Sequence, residues 1–250
     1  MSVAIITGVS KGFGFSIAEQ LLKKKISVIG ISRENSKSLK ELAQKGGVFY
    51  KHYSYDLSDL DTFEKGLQSL SALKQKPKRF IVINNAAVLD PIDPSIRIEP
   101  KELSYHMHVN VIAPMVLLNF FLKKGTKENI PVMGINITSG AARRPIYGWS
   151  AYGSGKAAID LYTETIALEQ EILKTGHKII AFNPGVMDTA MQERIRNTTE
   201  DQFQDVKTFQ TYHKQNQLKN PKKIAKLLMR FVLEEIKVEN GKVYDPSDVT

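Results

Sequence analysis

The feature that most restricts this chain is the alternation of two hydrophobic periods along nearly its whole length. Short β-branched runs at 3–7, 27–32, 48–53, 80–84, 132–138 and 178–183 alternate with amphipathic segments at 15–25, 36–45, 59–73, 100–123 and 152–174. Most of the runs are near-continuously apolar. A strand without polar alternation is buried on both faces, which is the pattern of a parallel sheet covered by helices. Strict strand–helix alternation implies right-handed crossovers with helices on both sides, so the expected fold is a doubly wound α/β domain. A late helix at 221–233 and a short last strand at 242–244 complete the order. Length alone admits one large domain or two small ones, with roughly 70–75% of the unfolded surface buried. No linker, internal repeat or low-complexity tract divides the 250 residues, so a single domain over 1–250 is expected. The polar stretch 187–219 is long for a connection and follows a strand end, which marks it as a segment covering a substrate.

Composition narrows the chemistry. The chain has no cysteine, which removes disulfides, thiolate nucleophiles and cysteine-held zinc or iron–sulfur clusters. His106 and His108 stand two apart and face different sides of a helix, so no metal site is expected. The 35 basic and 26 acidic residues leave a net charge of +9. The lysines are scattered and mostly close helices, unlike the clustered basic face with interleaved aromatics of a nucleic-acid binder. Residue 1 leads straight into the first strand and a glycine turn, without the basic and apolar regions of an export signal. No apolar stretch approaches the 18 or so residues of a membrane span. The expectation is a soluble, cytoplasmic protein without nucleic-acid or membrane partners.

The first strand runs into Thr7-Gly8-Val-Ser10-Lys11-Gly12-Phe13-Gly14 and then a helix. Glycines there allow positive φ and close backbone approach, which suits a pyrophosphate on a helix N-terminus and suits equally a plain tight turn. The Gly-x-x-x-Gly-x-Gly spacing also departs from the general dinucleotide fingerprint. Further along, Tyr152 and Lys156 are four apart on one face of a helix, Ser139 lies thirteen residues earlier at a strand end, and Asn110 a further twenty-nine back. With Asn84-Asn85-Ala86 after the fourth strand and Pro184-Gly185 after the sixth, these segments resemble the short-chain dehydrogenase/reductase family over residues 2 to about 245. The resemblance implies a Rossmann-type doubly wound parallel sheet and a carbonyl–alcohol oxidoreductase.

By that resemblance the catalytic group is Asn110, Ser139, Tyr152 and Lys156. Reducing a ketone needs a hydride on carbon and a proton on oxygen. A phenol with a reference pKa of about 10 does acid–base work at neutrality only when nearby positive charge favours phenolate, a charge that Lys156 would supply. Lys156 would also bond the nicotinamide ribose, Ser139 would hold the substrate oxygen beside Tyr152, and Asn110 would bend its helix and hold a water serving Lys156. The cofactor residues implied are Gly8, Ser10, Lys11, Gly12, Phe13 and Gly14 in the turn, Ser32 and Arg33 after the second strand, Asp56 and Leu57 after the third, Asn85 and Ala86 after the fourth, Tyr152 and Lys156, and Pro184, Gly185, Val186 and Thr189 after the sixth. Ala87 stands where the family has glycine.

An NAD site wants an acid about 20 residues after the glycine turn for the ribose diol, whereas an NADP site wants cations and small donors. Ser32 and Arg33 stand at that place with Lys11 in the turn, so NADPH is expected, although Glu34 follows directly. Segments 139–152 and 184–196 are similar to bacterial reductases of the benzil and sepiapterin reductase type. They imply substrate contacts at Ser139, Ala141, Tyr147, Trp149, Met187 and Met191, an aromatic and thioether wall for a flat or bulky ketone. For a pterin ring, Asp245 stands where the resemblance places an acid. Trp149 packing its own loop is the plainer alternative. A serine hydrolase would need Gly-x-Ser-x-Gly, and Gly148-Trp149-Ser150-Ala151-Tyr152 fails at its last position. A non-catalytic NADPH-binding sensor on the same fold and a reductase of other ketones, such as 3-ketoacyl thioesters, stay open. The family likeness also implies a homo-oligomer, a dimer or a tetramer, through helices in the middle of the chain.

Overall fold

The computed structural model describes residues 1–70, 73, 75–234 and 236–249. Strands β1 (Val3–Thr7), β2 (Ser27–Ile31), β3 (Tyr50–Tyr53), β4 (Phe80–Asn84), β5 (Val132–Ile137), β6 (Lys178–Phe182) and β7 (Val243–Tyr244) form one sheet. Their order is β3-β2-β1-β4-β5-β6-β7, and every neighbouring pair is parallel. β1, β2, β4 and β5 are buried along their full length, as their unbroken apolar runs require. The edge strand β3 is the exception: its Tyr50-Lys51-His52-Tyr53 sequence is largely exposed or half-buried, and it is shorter than the expected 48–53.

The helices are α1 (Gly12–Lys23), α2 (Lys37–Gly46), α3 (Leu60–Leu70), α4 (Pro100–Met107), α5 (Ala113–Glu128), α6 (Ser150–Ile172), α7 (Ala190–Arg196), α8 (Val206–Lys214) and α9 (Pro221–Val232). On one face of the sheet, α1, α2 and α9 bury a core around Phe13, Ile17, Phe182, Leu228 and Phe231. On the other, α3, α5 and α6 bury Phe63, Phe80, Leu117, Phe121 and Ile166. Residues 71 and 72 of the expected helix 59–73 lie outside the described residues.

Three departures from the sequence reading matter. α6 begins at Ser150, two residues before the expected start, so Tyr152 stands within the first turn. The expected helix 100–123 is two helices joined without a break by a π-helical turn, His108–Ile112, and extends to Glu128. Over Pro100–Glu128 the most apolar 18 residues reach a mean hydropathy of 1.3, so a stretch of membrane-span length and apolarity does exist, contrary to expectation. It is a core helix, since 56% of that window is buried inside the fold. Finally, the polar stretch 187–219 is organised by α7 and α8, and Ile195, Val206 and Phe209 from these helices with Phe203 between them form a third core with Trp149 and Tyr152.

The chain works outward from β1 to β3 and then crosses back to β4, so the loops after β1 and β4 part and leave a crevice at their carboxyl ends. The glycine turn, the residue 85–91 loop and the start of α6 meet there.

Candidate active site

The glycine turn is fixed by close approach. Gly8 has a φ of +76°, and a side chain on it would press on the Asn85 amide 2.9 Å away. A Cβ on Gly14 would run into the Gly8 carbonyl. Thr7 ties this turn to the loop after β4: its hydroxyl accepts the backbone N–H groups of Asn85 and Ala86, each at 3.0 Å. Asn85 in return donates its amide to the Thr7 carbonyl at 3.0 Å. Ala87 does not adopt a left-handed φ, so the alanine fits where the family has glycine. Gly12 is exposed with a φ of +61°, and a Cβ there would meet the Thr189 methyl at 3.8 Å, which brings the turn opposite the segment after β6.

In that segment Gly185 turns with a φ of +73°, its N–H donating to the Asn183 side chain at 3.1 Å. The Val186 carbonyl accepts the Lys219 N–H at 2.9 Å. Thr189 caps α7, accepting the Gln192 N–H at 3.4 Å, and its hydroxyl proton stays available to donate. Beyond β2, Ser32 is buried and donates to the Glu34 carbonyl at 2.8 Å with His52 2.9 Å away, while Arg33 and Lys11 are exposed cations. Asp56 is exposed and accepts both the N–H and the hydroxyl of Ser58, at 2.9 and 2.7 Å. Leu57 beside it is buried.

The four expected catalytic residues converge. Ser139 lies two residues past the end of β5 and caps a short turn, its hydroxyl accepting the Ala141 N–H at 3.2 Å. Tyr152 is buried, and its phenol is pushed up by that burial and pulled partly back by a hydrogen bond with Ser139. Lys156 lies one turn further along α6, its ammonium 5.8 Å from the Tyr152 ring centroid and donating to the Ile137 carbonyl at 2.8 Å. Burial lowers Lys156 to about 8, against the opposing charge of Asp160 one turn on. In this state burial, more than the lysine charge, sets the Tyr152 phenol. Asn110 sits in the middle of the π-helical turn, with its side-chain oxygen accepting the Val88 N–H at 2.8 Å and its amide donating to the Val88 carbonyl at 2.7 Å.

The expected substrate wall is only partly assembled. Trp149 is buried under the covering segment, stacked on Phe203 at 4.7 Å between centroids and edge-on to Phe209 and Tyr152 at 5.6 and 5.2 Å. Its indole N–H is buried with no hydrogen-bond partner among the described residues. Ala141 and Met191 join the same cluster, but Met187 packs against the core on the α1 side, because its backbone bridges to Lys219 there. Tyr147 is 44% exposed. Asp245 follows β7 and spends its carboxylate on the N–H and hydroxyl of Ser247, which with nearby Lys219 holds it below the usual carboxylate range.

Sequence reasoning gave no role to Thr7, Asp160 or His106. His106 had a visible signal, its place one turn before Asn110 on the same helical face. Asp160 had the corresponding one after Lys156.

The profile of the short chain dehydrogenase family matches residues 2–200. A benzil reductase ((S)-benzoin forming) of Bacillus cereus is 35% identical over 245 residues, 97% of this chain and 98% of the relative. A sepiapterin reductase of Mus musculus is 30% identical over 217 residues, 80% of each chain. Among solved structures, a short chain dehydrogenase/reductase from Saccharomyces cerevisiae superposes with a TM-score of 0.84 at 27% identity, covering 99% of this chain and 97% of that one. With the parallel sheet, the glycine turn and the Ser139–Tyr152–Lys156 geometry, these matches place the chain in the short-chain dehydrogenase/reductase family of oxidoreductases, which act between CH–OH and C=O.

Proposed function

We propose that this protein is an NADPH-dependent carbonyl reductase acting on one carbonyl of an aromatic or bulky vicinal diketone, benzil-like, or of a sepiapterin-like side chain. The observation that carries it is the buried Tyr152 phenol, close enough to the Ser139 hydroxyl to be stabilised by it and one helical turn from the Lys156 ammonium. The likeness to benzil reductase along nearly the whole chain supports the substrate class. So does the unpartnered indole N–H of Trp149 beside Tyr152, which suits the second oxygen of a dicarbonyl.

The residues fit a dinucleotide. Gly8 and Gly14 keep side chains out of the turn at the N-terminus of the 12-residue α1, where backbone N–H groups and the helix dipole favour a pyrophosphate. Exposed Lys11 and Arg33 suit the extra phosphate of NADPH, with Ser10, Gly12, Phe13 and Ser32 completing that end. Asp56, Leu57, Asn85 and Ala86 would line the adenosine side, while Pro184, Gly185, Val186 and Thr189 would hold the carboxamide. When bound, the reduced nicotinamide supplies a hydride for the carbonyl carbon. Ser139 Oγ holds the substrate oxygen, and Tyr152 Oη passes its proton to that oxygen as charge develops on it. Lys156 Nζ would favour the phenolate left behind and bond the ribose, and Asn110 would order the water through which Lys156 exchanges protons.

The proposal extends to a cytoplasmic dimer or tetramer. Leu161, Leu168 and Ile172 form an apolar stripe on α6, 65, 57 and 70% exposed, which a second copy would cover. The deciding experiment is a panel of diketones, quinones, pteridines and 3-ketoacyl thioesters read by NADPH and NADH absorbance. Preferred turnover of benzil-like diketones with NADPH is expected. Cofactor binding without oxidation on any member would instead mark a sensor, and preference for ketoacyl thioesters would move the substrate class.

A further inference from the structure

His106 is fully buried in the last turn of α4, one turn before Asn110. Its Nδ1 lies 2.8 Å from the Asp90 carbonyl oxygen, which can only accept, so Nδ1 carries the proton. Its Nε2 lies 2.8 Å from the Asn110 amide nitrogen. The orientation of that amide is set independently, because the Val88 N–H needs the Asn110 oxygen as acceptor. The nitrogen facing His106 is therefore a donor, and Nε2 must present its lone pair. Both amide hydrogens of Asn110 are then used, one on the Val88 carbonyl and one on His106.

We propose that neutral His106 is the positioning residue for Asn110: as its Nδ1–H tautomer it anchors the asparagine amide in the π-helical turn, and its protonation releases that anchor and lowers reductase turnover in acid. The proposal rests on the reading of Asn110 as a member of the catalytic group. Protonation would place an N–H on Nε2 against the amide N–H, a donor facing a donor in a buried site, and Asn110 would have to give up its paired contacts with Val88. The turn that holds Asn110 beside α6 would then lose its side-chain anchor.

The surroundings favour the neutral ring. From α6 come the Lys156 ammonium and the edge-on Tyr152 ring, 6.3 Å away between centroids, and Gly155, where a Cβ would sit 3.5 Å from Nε2. From the loop after β4 comes Asp90, whose carboxylate accepts from Arg194 of α7 at 2.8 Å. Burial first, and then the Lys156 charge, lower the imidazole below its usual range, while Asp90 opposes them. The acid decline should accordingly fall below the ordinary histidine range.

The test uses the full chain with NADPH and benzil from about pH 4 to pH 8, a window that reaches below the range in which histidine normally titrates. Wild type should lose turnover on the acid side. His106→Gln, whose carbonyl can accept from Asn110 and which does not titrate there, should keep most of the neutral turnover and lose the acid decline. His106→Phe fills the ring's space without an acceptor and should lower kcat about tenfold at neutral pH, in line with an unsatisfied buried donor, while leaving KM for NADPH unchanged. Nitrogen-15 chemical shifts of the histidine ring should report the Nδ1–H tautomer whatever the activity. Wild-type kcat in a folded His106→Phe, an unchanged acid decline in His106→Gln, or an Nε2–H tautomer would overturn the proposal. Should His106→Phe fail to fold, the pH profile of His106→Gln and the ring shifts decide. Asn110→Ala separates the two levels. Full activity there removes Asn110, and with it the catalytic consequence of His106; loss there with none in His106→Phe overturns the His106 assignment alone.

Discussion

A phenol buried against Ser139 gives up its proton only to an oxygen that gains charge beside it. Tyr152→Phe should therefore cut carbonyl reduction by at least about 10²-fold while NADPH binding, measured by fluorescence titration, stays nearly intact. Near-normal turnover would remove Tyr152 from the reaction. Lys156, lowered to about 8 by burial, is charged below that pH and loses its charge as pH rises through it. Asp160 opposes the lowering, so Asp160→Asn should bring Lys156 lower still and move the alkaline decline of kcat to lower pH. A loss of rate with an unmoved decline would mean Asp160 only packs. On the proposed NADPH reading, exposed Arg33 would meet the extra phosphate. Arg33→Ala should weaken NADPH binding by about 1.5–3 kcal/mol and change NADH little. Equal use of NADH and NADPH by the wild type would count against the clamp.

At the scale of elements, the covering segment is held by contact more than by charge. The Gly148 φ of +80° and the absence of a side chain let the Gln202 carbonyl approach closely, and the stack of Trp149 on Phe203 follows directly. Around it run exposed or partly exposed pairs, Arg97–Asp201 at 2.9 Å and Arg194–Asp90 at 2.8 Å, which solvent screens and which therefore add little. Gly148→Ala should thus displace the segment without touching the chemistry. The expected outcome is a raised KM for the ketone, faster proteolysis within 197–205 and unchanged NADPH affinity. A wild-type KM would show that the segment does not shape the substrate site. The π-helical turn at Asn110 was legible only through family likeness, because no propensity distinguishes His108-Val109-Asn110-Val111-Ile112 from an ordinary helix. Asn110 within that turn is paired with Val88, a residue far off in the chain. α7 and α8 were hidden for a related reason, since their short helices are stabilised by packing on Trp149 rather than by a long apolar period.

For the whole molecule, the exposed apolar face of α6 is the surface on which the proposed assembly would rest. Leu168→Glu with Ile172→Glu places two charges on that apolar stripe and should shift sedimentation from dimer or tetramer to monomer, while destabilising the folded monomer by no more than about 1 kcal/mol, as for surface substitutions. Unchanged sedimentation would put the interface elsewhere or leave none. The two cores on either side of the sheet are independent of this face, with α9 and α1 closing one side and α3 and α5 the other.

Order along the chain was enough for the fold class, while the four residues that converge in the crevice were named through the family resemblance of their segments. Unbroken apolar runs leave a strand no face for water, and the separations of Asn110, Ser139, Tyr152 and Lys156 survive any detail of packing because each sits at a strand end or on a helix. Packing in three dimensions chose which side chains are spent on holding the site. It buried Trp149 beneath Phe203, sent Met187 to the opposite core, tied Asp245 to Ser247 and turned His106 onto Asn110. Each of these depends on contacts between residues distant in the chain, or on rotamers chosen by neighbours, which local period and spacing do not encode.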